Sequence, residues 1–260
     1  MSNSIKNIKK EGITYLKLNR PKKFNSFNRE MAFELQKQLD DCIRDQHTRA
    51  IVLTGEGKAF CAGQDLAEVT HPELNPGFKS ILEDHYNPII TRIRNIEIPV
   101  IAAVNGVAAG AGANIALACD VVVASETASF IQAFSKIGLI PDSGGTYFLP
   151  RLVGFQRASA LALLGDKIEA NEAERIGVIY KYFSPENFKD EVDHLAQKLA
   201  SMPTKALAFT KKALNKSFSN SLEEQLAVES EYQIASAQTQ DYNEGVTAFM
   251  EKRTPKFKGK

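Results

Sequence analysis

The sequence predicts an α/β fold with mostly parallel strand pairing and a helical C-terminal part. Two patterns carry that expectation. Up to about residue 200, short aliphatic and β-branched runs alternate with stretches of helical periodicity, and strands separated by helices tend to pair in parallel. From residue 169 onward helical patterns dominate. The 260 residues suit one large domain or a domain with a helical appendage. At 43% hydrophobic and 24% charged residues the chain can bury a core and is not of the disordered class.

Residues 13–18 (ITYLKL) alternate at period two and read as a strand. Residues 28–44 follow with Met31, Phe33, Leu35, Leu39 and Ile43 near helical spacing, and Asn28 is placed to cap that helix. AIVLTG (50–55) reads as a short buried strand, and VIAAV (100–104) and VVVA (121–124) are of the same type. In the second half, VIYKYF (178–183) is the one strand-like piece. Pro203 opens a helix reaching Phe218, residues 221–237 make another, and 241–252 make the last. Ser221 and Glu224 stand in capping-box spacing. The expected plan is an α/β core over residues 1–200 and a helical region over 201–260.

Charge and cysteine usage narrow the function. With 32 basic and 31 acidic residues the net charge is +1, which gives nucleic-acid binding no electrostatic support. The basic C-terminal KRTPKFKGK reads as a solvated tail. Cys42, Cys61 and Cys119 are odd in number and widely spaced, which argues against a disulfide framework or a Cys-rich zinc site. His47, His71, His85 and His194 show no metal-ligand spacing, so no metal is expected. The N-terminal MSNSIKNIKKEG lacks the apolar core of a signal peptide, and a cytoplasmic compartment is the default expectation. Residues 98–119 carry no charged side chain, and about 20 residues can span a bilayer. That stretch also holds Pro99, Asn105, Asn114 and several glycines. Small residues with interior amides fit a packed core better than lipid, so no membrane partner is expected.

Three glycine-bearing segments concentrate the chemistry. In GKAFCAGQDL (57–66) a strand ends near Gly55, the chain turns at Ala62-Gly63, and Gln64-Asp65 opens a helix. Backbone N–H groups at such a helix start lack helical partners and can face an anion, although a plain left-handed turn explains an isolated Ala-Gly pair equally well. In NGVAAGAGANIALACD (105–120), Gly110-Ala111-Gly112 opens a helix running to about Cys119. The glycine spacing is neither a dinucleotide fingerprint nor a Walker loop. In IGLIPDSGGTYFLPRLVG (137–154), Asp142 stands between Pro141 and Ser143-Gly144-Gly145. It can cap the helix that follows or offer a carboxylate for acid–base work. Two N–H-bearing turns and one carboxylate together would make an oxyanion hole with a proton shuttle beside it.

These segments, preceded by LNRPKKFNSFN (18–28) and followed by EGVTAFMEKR (244–253), resemble the crotonase superfamily, also called the enoyl-CoA hydratase/isomerase family. The resemblance runs along essentially the whole chain. It implies a crotonase-like β/α spiral core and a C-terminal helical oligomerisation region that builds a homotrimer or a dimer of trimers. It also implies an acyl-CoA substrate, with coenzyme A as part of that substrate and no separate cofactor. Matched residue by residue, the oxyanion donors would be the backbone N–H groups of Gln64 and Ala111, beside Gly110. Coenzyme A would lie along Ala62, Gly63, Gln64, Asp65 and Leu66. Phe249 and Lys252 match C-terminal positions that reach toward CoA, and Arg20 and Lys22 lie where the family often places basic contacts.

Departures from the family pattern bear on the reaction. Family hydratases position water with two glutamates, and this chain has Asn114 and Phe134 at those places. Asp142 stands where hydratases have glycine and where several isomerase branches have the acidic residue that moves the proton. Phe134 would dry the pocket and raise the Asp142 pKa. The resemblance therefore favours an isomerase with Asp142 as general base, and Tyr86 with His85 as candidate acyl-pocket residues. The alternatives are an enoyl-CoA hydratase, a Δ3-Δ2-enoyl-CoA isomerase, or a non-catalytic CoA- or RNA-binding member.

Overall fold

The structure, a computed structural model, describes residues 4–260; the first three residues of the N-terminal stretch lie outside it. Strand β1 (Ile5–Lys10) pairs antiparallel with β2 (Ile13–Leu18) through a Glu11-Gly12 turn in which both residues have positive φ. Two such residues give the turn whose twist matches a hairpin. The sequence pattern did not reveal β1, because IKNIKK buries only Ile5. Helix α1 (Arg29–Arg44) follows, and Asn28 caps it by accepting from the Met31 N–H at 3.1 Å, as expected.

The chain then winds in three similar turns. Each lays one strand in a large sheet and the next in a small one. Strand β3 (Ala50–Gly55) leads to β4 (Ala59–Cys61), β5 (Val100–Val104) to β6 (Val107–Ala109), and β7 (Val121–Ser125) to β8 (Ser129–Ile131). Helices α2 (Leu66–Thr70) and α3 (Phe78–Ser80), a π-helical turn over Ile81–Tyr86 and α4 (Asn87–Asn95) connect the first pair to the second. Helix α5 (Ala111–Leu117) connects the second to the third. After β8 come α6 (Gly145–Val153), α7 (Phe155–Leu164), β9 (Lys167–Glu169), α8 (Ala170–Arg175) and β10 (Lys181–Phe183). The large sheet has the order β1-β2-β3-β5-β7-β10 and the small one β4-β6-β8-β9. Only the β1–β2 and β8–β9 pairs are antiparallel. This is the spiral that the sequence resemblance implied.

The strand expected over 178–183 is shorter than its apolar run. The Val178 and Ile179 amides turn back to the Ala173 carbonyl of α8, so bonding to β7 begins with the Tyr180 N–H to the Val122 carbonyl and register pairing with Lys181.

Both faces of the large sheet are covered, which is why β3, β5 and β7 read as unbroken apolar runs. Leu16, Leu53, Ala102 and Val122 stand side by side in register and face the principal core with Met31, Leu35 and Ile89. On the other face, Val52, Ile101, Ala103 and Val123 meet Val192, Ala196 and Ala200 of α9 (Phe188–Ser201).

Helices α10 (Thr204–Ser217), α11 (Leu222–Ala237) and α12 (Gln240–Met250) complete the chain, and the Ser221–Glu224 capping box is present. Lys211 anchors α10 to the core, donating to Asp120 Oδ2 and to the Ile93 carbonyl, both at 2.7 Å. The tail folds back, with Asp241 accepting from the Lys258 and Gly259 amides and Arg49 donating to the Phe257 carbonyl. No α11 side chain is buried, and Leu222, Leu226, Phe249 and Met250 are exposed. Among the described residues no helix is long and apolar enough to cross a membrane.

Candidate active site

The segment 61–66 is held from one side by residue 27. The Phe27 N–H donates to the Gly63 carbonyl and the Asp65 N–H to the Phe27 carbonyl, both at 2.7 Å. In extended backbone successive amides alternate direction, so the Gln64 N–H between them is aimed away from Phe27. Asp65 caps α2 by accepting from the Ala67 N–H, and its other oxygen holds the Arg20 guanidinium at 2.7 Å. Arg20 also donates to the Ser26 carbonyl, so this side chain is committed to tying the loop of residues 20–27 to the turn. Asn25, fully buried, donates to the carbonyls of Glu56 and Ala59 from beneath that loop. Ala62, Leu66 and Lys22 lie exposed on the rim.

The turn into α5 lies directly against this segment. A β-carbon on Gly63, whose φ is +92°, would sit 3.0 Å from the Ala109 carbonyl oxygen and 3.7 Å from the Ala111 nitrogen. Glycine at 63 is what allows the two turns to touch. Ala111 is the first residue of α5, and the helix's own bonding begins with Asn114 N–H to the Gly110 carbonyl. The Ala111 N–H thus precedes any intrahelical acceptor. Phe134, 5% exposed, rests its ring against Gly110.

Asp142 enters from the third segment. Its carboxylate does not cap α6: the cap position is Gly144, without a side-chain bond. Its Oδ1 accepts from the Ser143 hydroxyl at 2.8 Å, and Ser143 itself is buried with φ of 50°. Burial raises the Asp142 pKa to about 6, and the Ser143 bond offsets part of that rise. The Asp142 carbonyl accepts from Gly145 N–H at 2.8 Å and from the Asn114 side-chain amide at 2.9 Å. Gln132 donates in turn to the Asn114 amide oxygen at 2.8 Å.

Tyr86, 1% exposed, closes the arrangement. Its hydroxyl donates to Gln64 Oε1 at 2.7 Å, and its ring meets Phe27 edge-on. Burial holds its pKa well above the ordinary value, and the nearby charge of Asp142 adds to the rise. His85 does not join this group. It packs edge-on against Phe33 of α1, and burial lowers its pKa.

The structure therefore brings Gln64, Ala111, Gly110, Phe134, Tyr86 and Asp142 into one neighbourhood. Phe249 and Lys252 lie elsewhere, exposed at the end of α12. Phe249 lines a groove of about 1000 Å³ between α10, α11 and α12, together with Phe209, Leu226 and Tyr242. Among the described residues no His, Cys, Asp and Glu side chains gather as a metal site. Sequence reasoning missed Ser143 and Gln132, whose parts here are single hydrogen bonds without a motif, and it noted Asn114 as an interior amide and a departure from the family pattern, without its partners.

Residues 8–260 match the family described as "Enoyl-CoA hydratase/isomerase". The chain is 46% identical over 254 residues to the 1,2-epoxyphenylacetyl-CoA isomerase of Escherichia coli K12, covering 96% of each. It is also 46% identical over 250 residues to the "Probable enoyl-CoA hydratase" of Rhodobacter capsulatus, again covering 96% of each. The crystal structure of enoyl-CoA hydratase from Bacillus anthracis superimposes with a TM-score of 0.92 at 33% identity, covering 99% of this chain and 100% of that one.

Proposed function

The chain belongs to the enoyl-CoA hydratase/isomerase family, and within it we propose an acyl-CoA isomerase that works through a thioester enolate, with Asp142 as the group that carries the proton. One observation carries this reading. The Asp142 carboxylate caps no helix and meets no cation among the described residues, and burial tunes it to about 6 beside two turns that present backbone N–H groups. A general base serves best with a pKa near working pH.

In the proposed reaction the thioester oxygen accepts from the Gln64 and Ala111 amides. A β,γ-unsaturated thioester then loses a C2 proton to Asp142, and the electron pair spreads over the oxygen, C2 and C4. Asp142 returns the proton to C4, and the double bond ends between C2 and C3. Atoms and charge balance, no water is consumed, and no group beyond the CoA thioester is required. In other enzymes loss of one oxyanion donor costs about 3–4 kcal/mol of transition-state stabilisation. The substrates we propose are 3,4-dehydroadipyl-CoA, whose β,γ double bond that step moves, and 2-(1,2-epoxy-1,2-dihydrophenyl)acetyl-CoA, which the name of one 46%-identical relative supports. Hydration is the second reading, because another relative at the same identity is named a hydratase. Against it, position 114 is an amide already committed to Gln132 and Asp142, and position 134 is an apolar ring.

Helices α10–α12 would assemble three or six copies, which would cover the exposed Phe249 and Met250. Light scattering of the purified protein tests that assembly.

The deciding experiment follows absorbance for wild type and Asp142→Asn with 3,4-dehydroadipyl-CoA and with crotonyl-CoA. Isomerisation that drops at least about 100-fold in the variant is expected, the scale for loss of a general base. Efficient crotonyl-CoA hydration by the wild type would overturn the isomerase assignment.

A further inference from the structure

We propose that Asn114 is the positioning residue that sets where the Asp142 carboxylate stands relative to the α5 amides. The inference rests on the reading of Asp142 as the base. Asn114 is fully buried and lies one helical turn beyond Ala111 on α5. Its side-chain amide therefore joins the helix that offers the Ala111 N–H to the loop that bears the carboxylate.

The polarity of this link is forced. The Asp142 carbonyl can only accept, so the nitrogen of Asn114 must face it, at 2.9 Å. The Asn114 oxygen then faces Gln132, which must present its own nitrogen, at 2.8 Å. Gln132 is itself buried. Gly145 closes the other side, since a β-carbon there would lie 2.3 Å from the Asn114 nitrogen. The amide plane is thus clamped between α5, the residue that follows β8 and the start of α6. Asp142 is followed by Ser143 in left-handed backbone, a conformation that a non-glycine residue keeps only when its surroundings hold it.

An aspartate at 114 would keep the shape and lose the donor. It would also place a second carboxylate against the Asp142 peptide. Tyr86 is the titratable side chain that faces Asp142 from another element, and it stays protonated. Helix α5 (AGANIAL) offers no titratable side chain of its own. A new charge at 114 is therefore felt directly in the acid limb of the rate profile.

Steady-state kinetics against pH, on 3,4-dehydroadipyl-CoA, test the proposal with Asn114→Asp, Gln132→Met and Asp142→Asn. Asn114→Asp is expected to lower kcat by about 10- to 100-fold with little change in KM, the scale of a small misplacement of a reacting group. Its acid limb is expected to move up by about one pH unit through like-charge repulsion. Gln132→Met frees the Asn114 amide without adding charge, and a kcat loss of roughly 3- to 10-fold with an unmoved limb is expected. A purely structural role would lower thermal stability and leave kcat and the limb of the folded enzyme in place, which overturns the proposal. If Asn114→Asp does not fold, an unchanged kcat in Gln132→Met overturns it alone. An active Asp142→Asn removes the base reading and this inference with it. An inactive Asp142→Asn beside wild-type kinetics in the other two variants removes only the positioning role.

Discussion

The hydroxyl of Tyr86 donates to the side-chain oxygen of Gln64 at 2.7 Å, and the nitrogen of the same Gln64 donates to Glu68 at 2.9 Å. Glu68 also accepts the Arg29 N–H at the start of α1. A chain of bonds from the π-helical turn to α1 therefore passes through the residue whose backbone N–H is the proposed oxyanion donor. Tyr86→Phe keeps the ring packing on Phe27 and leaves the Gln64 oxygen unpaired. The expected cost is about 1–2 kcal/mol, seen as a fall of roughly 2–8 °C in Tm, with kcat/KM lowered by less than about tenfold. An unchanged Tm would show that water satisfies Gln64 as well as Tyr86 does.

Asp142 links activity and stability to pH in opposite directions. Its pKa is raised by burial from 3.8 to about 6, so the folded protein holds the proton more tightly than the unfolded chain. The stability this brings is fully present below the unfolded value of 3.8 and is lost as pH rises through about 6. Under the proposed mechanism activity needs the ionised base and climbs over the same interval. Asp142→Asn should therefore be inactive yet more stable than wild type at pH 8, by about 1–3 kcal/mol. Urea denaturation at pH 8 and at pH 4 checks the sign, since the gap should close at the lower pH.

Gly63 separates the two amide-bearing turns. Alanine there must adopt φ of +92° and bring its β-carbon to 3.0 Å from the Ala109 carbonyl oxygen. The strain costs about 1–3 kcal/mol. Spreading the turns should lower kcat by roughly 10- to 100-fold, short of the 10²–10³ that full loss of an oxyanion donor costs. Unchanged turnover in a folded Gly63→Ala would argue against a joint role for Gln64 and Ala111.

Lys211 supplies the control. Replacing it with methionine removes a buried cation from Asp120, which keeps Arg94 at 3.2 Å and the Val100 N–H at 2.8 Å. With those partners left, the loss should fall near the low end of the range for a broken buried pair, about 3 kcal/mol, or on the order of 10 °C in Tm. Turnover measured well below the transition should not change, because both hydrogen bonds of Lys211, to Asp120 and to the Ile93 carbonyl, fall on residues outside the proposed site. A matching loss of kcat would mean that the anchoring of α10 reaches the site.

How much of this was legible beforehand follows from the length scale of each signal. Helix α1 with its Asn28 cap and α11 with its capping box were readable because their information lies within one or two turns of chain. Strands β3, β5 and β7 were readable because burial on both faces leaves an apolar run. Strands β4, β6, β8 and β9 were not, since three residues carry no measurable period. Strand β1 was hidden by its lysines, and β10 lost its first residues to backbone bonds with α8.

At the site, the sequence alone marked the candidate residues. Asp142 in PDSGG, the Ala-Gly turn at 62–63 and the Gly-Ala-Gly turn at 110–112 each announce themselves within a few positions. Tertiary structure alone decided how they are used. It took Asp142 off helix-capping duty, committed Arg20 to Asp65 and set His85 against α1. It joined Asn114 to Asp142 across 28 residues and Tyr86 to Gln64 across 22. Local propensity reports on the backbone within one turn. The direction of a side-chain hydrogen bond and the burial that moves a pKa depend on what the rest of the chain packs against that group.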